Sequence, residues 1–322
     1  MQSIPKAELH VHIDGTITPA LALEMAAEKK IQLPDRIFNE DKTRFVWTDF
    51  STDFHCVFEA VLQAVQSSQD FYRITYAYLK QLAEQNTVYC ELIVPPIHEG
   101  LPNLTYYEIL TGVVDAILQA EKDFGIVARI IPIIMRHYGP RVGEKTMAMI
   151  LHERHPYVVG VNLVGDIVQH EVKAFADLFD KAHAAGLKVS CHAGECSGGP
   201  DEIWQAIEYC HADRISHGVR AIEDPKLLQI IVDQKIPLEV CPSSNVQLGM
   251  YPDFKSHPLK QLHDAGVVLS LNTDDPGFFA TNLTREYQIA YEYAGFSESD
   301  LIKVTKTALA SAFIDEKLVL TS

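Results

Sequence analysis

Apolar and β-branched residues gather into short runs that recur along the whole chain. Ala7–Ile13, Thr87–Val94, Ile126–Met135, Val158–Val164, Leu187–Cys191, Arg214–Val219, Ile236–Cys241 and Val267–Asn272 each read as a strand. Between these runs, apolar residues are spaced three and four apart. Phe71, Ile74, Tyr78 and Leu82 follow this rule, as do Ile109, Val113 and Ile117, and Ile203 with Ile207. That is the period of a helix buried along one face. Strand then helix, eight times over 322 residues, predicts an α/β fold with a parallel sheet. Eight repeats favour a closed (β/α)8 TIM barrel over an open doubly wound sheet. No Gly-x-Gly-x-x-Gly follows a strand, which weakens the dinucleotide-binding form of the open sheet. No low-complexity segment or Ser/Gly/Pro linker divides the chain, so residues 1–322 read as a single barrel domain.

One connection is out of proportion. About seventy residues separate the first two strands, far above the usual crossover length. This stretch, approximately 15–86, predicts extra helices inserted after the first strand. It is rich in aromatics, and Phe54 and Phe58, four apart, share a face if helical. Ordinary packing is the plainer account. The alternative is a lid in which Phe54 and Phe58 border a ligand, because the loops after barrel strands build the pocket.

Composition narrows the class without naming a chemistry. Hydrophobic residues make up 47% and charged residues 22%, enough for a substantial core with an ordinary surface. The net charge of −16 disfavours a polyanion-binding face, so no nucleic-acid partner is expected. No apolar run is long enough to span a bilayer and no secretory leader follows Met1, so no membrane partner is expected. The six cysteines (Cys56, Cys90, Cys191, Cys196, Cys210, Cys241) lack zinc-knuckle spacing and read as thiols of a reducing compartment. The expectation is a cytoplasmic protein; its oligomeric state is not legible.

The chemistry stands at the strand ends. In His10-Val11-His12 two imidazoles must point to one face of a strand, which is half of a metal site. The fifth run leads into His192-Ala193-Gly194-Glu195, the sixth into Ser216-His217-Gly218, and the seventh into Cys241-Pro242-Ser243-Ser244-Asn245. The eighth leads into Leu271-Asn272-Thr273-Asp274-Asp275-Pro276. Singly, each has a plainer reading: a hydrogen-bonded core histidine, a helix cap at Asp274-Asp275, turn chemistry at Asn245. Together they fall where catalytic residues of a barrel converge. Closure also makes the first and eighth strands neighbours and brings Asp274 beside His10 and His12. His10, His12, His192 and Asp274 then supply three nitrogens and one oxygen, a set suited to one Zn²⁺ with a position left for water.

These five motifs, in this order, resemble the adenosine deaminase family of the amidohydrolase superfamily. The likeness runs from residue 5 to about residue 310. It implies that His10, His12, His192 and Asp274 are zinc ligands and that Glu195 protonates purine N1. It implies that His217 and Asp275 orient and deprotonate the zinc-bound water, with His12 and Asp275 also bordering the substrate. Asp14 falls where the family contacts a ribose 5′-hydroxyl, and Gly165 where its backbone meets purine N3.

The residue types suit that chemistry. Displacing ammonia from C6 of an aminopurine needs hydroxide at neutral pH, which zinc generates, and an acid beside N1. Asp14, where adenine deaminases of the family usually carry Glu, and the Val164-Gly165-Asp166 stretch point to a purine nucleoside as the small-molecule partner. The expected reaction is deamination of adenosine, and of 2′-deoxyadenosine, to inosine-type product and ammonia. Asn162 and Ile167 stand where the family usually has carboxylates. The alternatives are a related aminopurine (adenine, a 5′- or N6-modified adenosine, or aminodeoxyfutalosine) and, more remotely, a non-catalytic binding relative. The H-x-E with P-C-x-x-C pattern of enzymes that deaminate bases in nucleic acids is absent.

Overall fold

A computed structural model describes residues 1–96, 104–165, 170–196 and 198–314. Eight strands run parallel in sequence order: β1 Lys6–His12, β2 Thr87–Val94, β3 Val127–Met135, β4 Gly160–Val164, β5 Lys188–Ala193, β6 Arg214–His217, β7 Leu238–Val240 and β8 Leu269–Leu271. The eighth meets the first just beyond its end. Val11 bridges to Asp274, His12 donates its backbone N–H to the Asp274 carbonyl at 2.9 Å, and Asp274 returns one to the His10 carbonyl at 3.2 Å. This is the (β/α)8 barrel, and every expected strand contributes to it.

Several strands are shorter than their apolar runs, for local reasons. In Ile236–Cys241 only Leu238–Val240 is strand, since the Ile236 N–H closes the preceding helix and Pro242 starts the next one. The sixth strand stops at His217, where His217 and Gly218 both take left-handed backbone (φ 61° and 66°).

The long first connection holds helices Pro19–Lys29, His55–Leu62 and Ser68–Glu84. Ser67 caps the last of these, and Phe71, Ile74, Tyr78 and Leu82 are buried along it, as their spacing predicts. Phe54 and Phe58 do share a face, with ring centroids 5.9 Å apart. Phe54 stacks on Phe279 at 5.8 Å and Phe58 on Phe278 at 4.7 Å, tying this segment to the loop after β8.

The lower barrel interior holds buried charge. Arg214 on β6 donates to Glu91 on β2 and to Glu239 on β7 (2.6 Å). Beyond the last helix, Glu298–Ser311, the ring of Phe313 lies 3.5 Å from the guanidinium, and its N–H donates to Glu91 at 2.7 Å. A buried guanidinium between two carboxylates and an aromatic face is fully partnered. Among the described residues, no helix is long and apolar enough to cross a membrane.

Candidate active site

His10 and His12 project from the end of β1 into the mouth of the barrel, and the junction with Asp274 puts that carboxylate between them. Asp274 Oδ1 lies 3.3 Å from His10 Nε2 and 3.4 Å from His12 Nε2, and His12 Nε2 lies 3.4 Å from His192 Nε2 at the end of β5. Ligands about 2.0–2.1 Å from a tetrahedral zinc are separated by about 3.3 Å, so these edges fit that ion. The ligand atoms of His10, His192, His217 and Asp274 also lie within 4.8 Å of one another, which makes His217 a fifth neighbour.

The donor chemistry fits a cation as well. His10 Nε2 and His217 Nε2 are buried with no hydrogen-bond partner among the described residues, a costly arrangement unless something enters between them. Burial pulls the pKa of His10 down, but Asp274 and Glu239 outweigh it and raise it to about 10, so this corner of the site favours positive charge. Burial opposes ionisation of Asp274 too, yet the surrounding imidazoles hold its carboxyl well below the usual range.

Each member is oriented from behind. Glu239 Oε2 sits 3.1 Å from His10 Nδ1, and Arg214, more than offsetting its burial, helps hold the Glu239 carboxyl down to about 2. Asn162 Oδ1 takes the Nδ1 side of His192 at 2.9 Å, Ser244 Oγ donates to Asp274 Oδ2 at 2.6 Å, and the Asn245 amide contacts His217 Nδ1 at 3.1 Å. Glu8 accepts from the N–H and hydroxyl of Thr273 (2.9 and 2.6 Å) and from Tyr78 (2.5 Å), fixing the residue before Asp274. Such outer partners set ring orientation and tautomer. Sequence reasoning missed Glu239, Arg214, Glu91 and Glu8; the available signal was carboxylates and a guanidinium inside otherwise apolar strands. It read Asn162 as a departure from the family pattern, whereas Asn162 orients His192.

Glu195 follows β5, and its Oε1 lies 3.4 Å from His217 Nε2. Asp275 lies against Gly15, where an added Cβ would come within 1.9 Å of Asp275 Oδ1, so only glycine permits that approach. Burial, and then the charges of Asp274 and Asp14, push the Asp275 carboxyl well above its usual range. His217 and Asp274 carry left-handed backbone (φ 61° and 65°), so two non-glycine residues of this cluster hold a strained conformation.

The expected substrate contacts are distributed around this centre. Asp14, nearly buried, lies in the turn Asp14–Thr16 directly after β1. Gly165 directly follows β4 with φ 112°, and a Cβ there would meet His137 Nδ1 at 2.9 Å. Asp166 and Ile167 lie outside the described residues. Phe54 and Phe58 belong to the aromatic layer on Phe278 and Phe279, three and four residues beyond Asp275.

The chain and its fold are similar to known proteins. A family profile described as adenosine deaminase matches residues 5–320. The chain is 41% identical over 313 residues to an adenine deaminase of Sinorhizobium fredii, covering 97% of this chain and 95% of that one. It is 42% identical over 311 residues to an adenine deaminase of Agrobacterium fabrum, covering 97% and 94%. Among solved structures, an adenine deaminase from Arthrobacter aurescens superposes with a TM-score of 0.92 at 28% identity, over 99% of this chain and 98% of that one. An amidohydrolase from Burkhoderia ambifaria, solved with bound Zn, shares the fold with a TM-score of 0.87 at 23% identity, over 99% and 88%.

Proposed function

This chain belongs to the adenosine deaminase family, aminohydrolases of C–N bonds, and we propose that its substrate is adenine, which it hydrolyses to hypoxanthine and ammonia. The observation that carries the reading is the cluster of imidazoles and a carboxylate with edges of 3.3–3.4 Å beside Glu195. Adenine replaces the nucleoside expected from sequence because relatives about 40% identical over nearly their whole length are adenine deaminases. Asp14, the residue behind the nucleoside expectation, stands close enough to His12 and Asp275 to act on their charge. An aspartate in that turn therefore does not by itself call for a ribose hydroxyl.

His10, His12, His192 and Asp274 would hold one zinc ion. When bound, it supplies hydroxide at neutral pH by lowering the pKa of a water molecule. Glu195, as the neutral acid, delivers its proton to N1 while oxygen bonds to C6. Between them, His217 and Asp275 hold the attacking oxygen and take up the proton it sheds, one as donor to that oxygen and the other as acceptor of the proton. That proton passes to the amino nitrogen, the C6–N bond breaks, and ammonia leaves. The hydroxyl on C6 returns its proton to Glu195, leaving the carbonyl of hypoxanthine.

The test is ammonia release from adenine, adenosine, 2′-deoxyadenosine, N6-methylated adenosines and aminodeoxyfutalosine by the zinc-loaded protein. The expected result is turnover of adenine, with kcat/KM for adenosine lower by at least about a hundredfold, the scale on which a site discriminates a poorly accommodated group. Preference for adenosine would reinstate the nucleoside, and no release from any of them would end the deaminase reading.

A further inference from the structure

Four imidazoles meet in the site, and the groups behind three of them differ in polarity. His10 Nδ1 faces the Glu239 carboxylate at 3.1 Å, and a carboxylate only accepts. His192 Nδ1 faces Asn162 Oδ1 at 2.9 Å. That amide is fixed in turn: its nitrogen donates to Ser216 Oγ at 3.0 Å, and Ser216 donates onward to Glu239 at 2.7 Å. Both rings therefore keep a proton on Nδ1 and present Nε2 to the site, where a bound cation takes the place of a proton.

His217 is backed the other way. The backbone N–H of Leu259, which can only donate, points at His257 Nδ1 at 3.1 Å. His257 is buried and burial pushes its pKa down to about 3, so the neutral ring carries its proton on Nε2. That proton goes to Asn245 Oδ1 at 3.1 Å, which leaves the Asn245 amide nitrogen to donate to His217 Nδ1 at 3.1 Å. The orientation of the amide is thus anchored in a backbone donor rather than chosen.

We propose that Leu259 N–H, His257 and Asn245 form a polarity relay that fixes neutral His217 with its proton on Nε2, facing the site as a donor. Two consequences follow. His217 is excluded as a cation ligand, which leaves His10, His12, His192 and Asp274. It is also excluded as the acceptor of the water proton. The O–H electron pair of the attacking water forms the new bond to C6, and the proton goes to the Asp275 carboxylate, which passes it to the departing amino nitrogen. His217 Nε2–H, buried with no hydrogen-bond partner among the described residues, instead holds the attacking oxygen. His257 and Asn245 are positioning residues. Their part in deamination rests on the function proposed above; the tautomer of His217 does not.

The experiment is long-range proton–nitrogen correlation on zinc-loaded protein labelled with ¹⁵N-histidine, the His217 signals being assigned by their loss in His217→Gln. The expected spectrum has His217 unprotonated at Nδ1 and protonated at Nε2, and His257 in the same form. A His217 protonated at Nδ1 overturns the relay. Asn245→Asp puts an acceptor behind the ring and should protonate Nδ1. His257→Gln, whose amide can still donate to Asn245, should keep the wild-type form, and His257→Leu should lose it. A His217 signal unmoved in both Asn245→Asp and His257→Leu also overturns the relay. The wild-type spectrum decides the matter even where a variant does not fold. The expected tautomer in a protein that leaves adenine untouched would sink the substrate and keep the relay.

Discussion

The backbone N–H of His12 donates to the carbonyl of Asp274 at 2.9 Å, so the bond that joins the last strand to the first also sets two candidate zinc ligands side by side. Closure of the barrel and assembly of the site are one event. Geometry at this seam should therefore respond to changes on either strand.

Gly15 is the most sensitive position on the first. A methyl group there would fall 1.9 Å from Asp275 Oδ1 and 2.8 Å from its Cα. Gly15→Ala should move the Asp275 carboxylate, and a displacement of about 1 Å at a reacting group lowers kcat roughly a hundredfold. Zinc content should stay at one ion per chain, measured by elemental analysis alongside steady-state kinetics. Unchanged kcat would mean that Asp275 does not act on the reacting atoms.

Glu195→Gln keeps the shape of the side chain and removes the acid. Because Glu195 is not among the four proposed ligands, zinc should remain while turnover falls by about 10²–10⁴. Near-normal turnover with full metal occupancy would remove Glu195 from the mechanism.

Glu239 stands behind His10, and its loss should be felt by the metal. Glu239→Gln keeps an acceptor near His10 Nδ1 but removes the negative charge shared with Arg214. Zinc affinity should drop by about 10–100-fold, as for other outer partners of ligating histidines. Competition with a chelator reads this directly. In the wild type, full removal of metal should abolish deamination and added Zn²⁺ should restore it; full activity in demonstrably metal-free protein would refute the site.

Glu286 supplies a pH dependence outside the metal cluster. Burial, opposed by hydrogen bonds from Ser243 and Thr281, raises its pKa from 4.5 to about 7. An acid whose folded pKa is raised binds more protons folded than unfolded between those values. Its contribution to stability is therefore greatest below about pH 4.5 and is lost as pH rises through 7, by at most about 1.4 kcal/mol per pH unit. Thermal unfolding of the wild type and Glu286→Gln from pH 5 to 8 should show the variant falling less steeply. Parallel slopes would leave Glu286 ionised throughout.

What the sequence reveals follows from what repeats. The strand runs and the three-four spacing of Phe71, Ile74, Tyr78 and Leu82 are local patterns, and all survive in the structure. His10 and His12 share a face by strand geometry alone, and Asp274 joins them because a barrel must close. The supporting charges are harder to see. Glu91 on β2 lies 123 residues before Arg214 on β6, with Glu239 on the next strand, and each looks like a break in an apolar run. Asn162 looks like a lost carboxylate until His192 is placed beside it. Cys241-Pro242-Ser243-Ser244-Asn245 reads as a turn, and its hydrogen bonds to Asp274 and His217 become visible only once β6, β7 and β8 are adjacent. The substrate was least legible, because Asp14 serves a nucleoside contact and an electrostatic role with equal ease.

The side chain of Asn272 accepts from the N–H of Leu9, a partner 263 positions earlier in the chain. The histidines of β1 are thus separated from their carboxylate partner, Asp274, by seven intervening strands and their helices. Phe313, later still, packs over the buried arginine beneath them. A chain that stopped between β6 and β8 would carry all four histidines of the cluster without the aspartate that stands among them. Order in the cluster therefore waits on the far end of the chain: the eighth strand must reach the first before a carboxylate stands among the imidazoles.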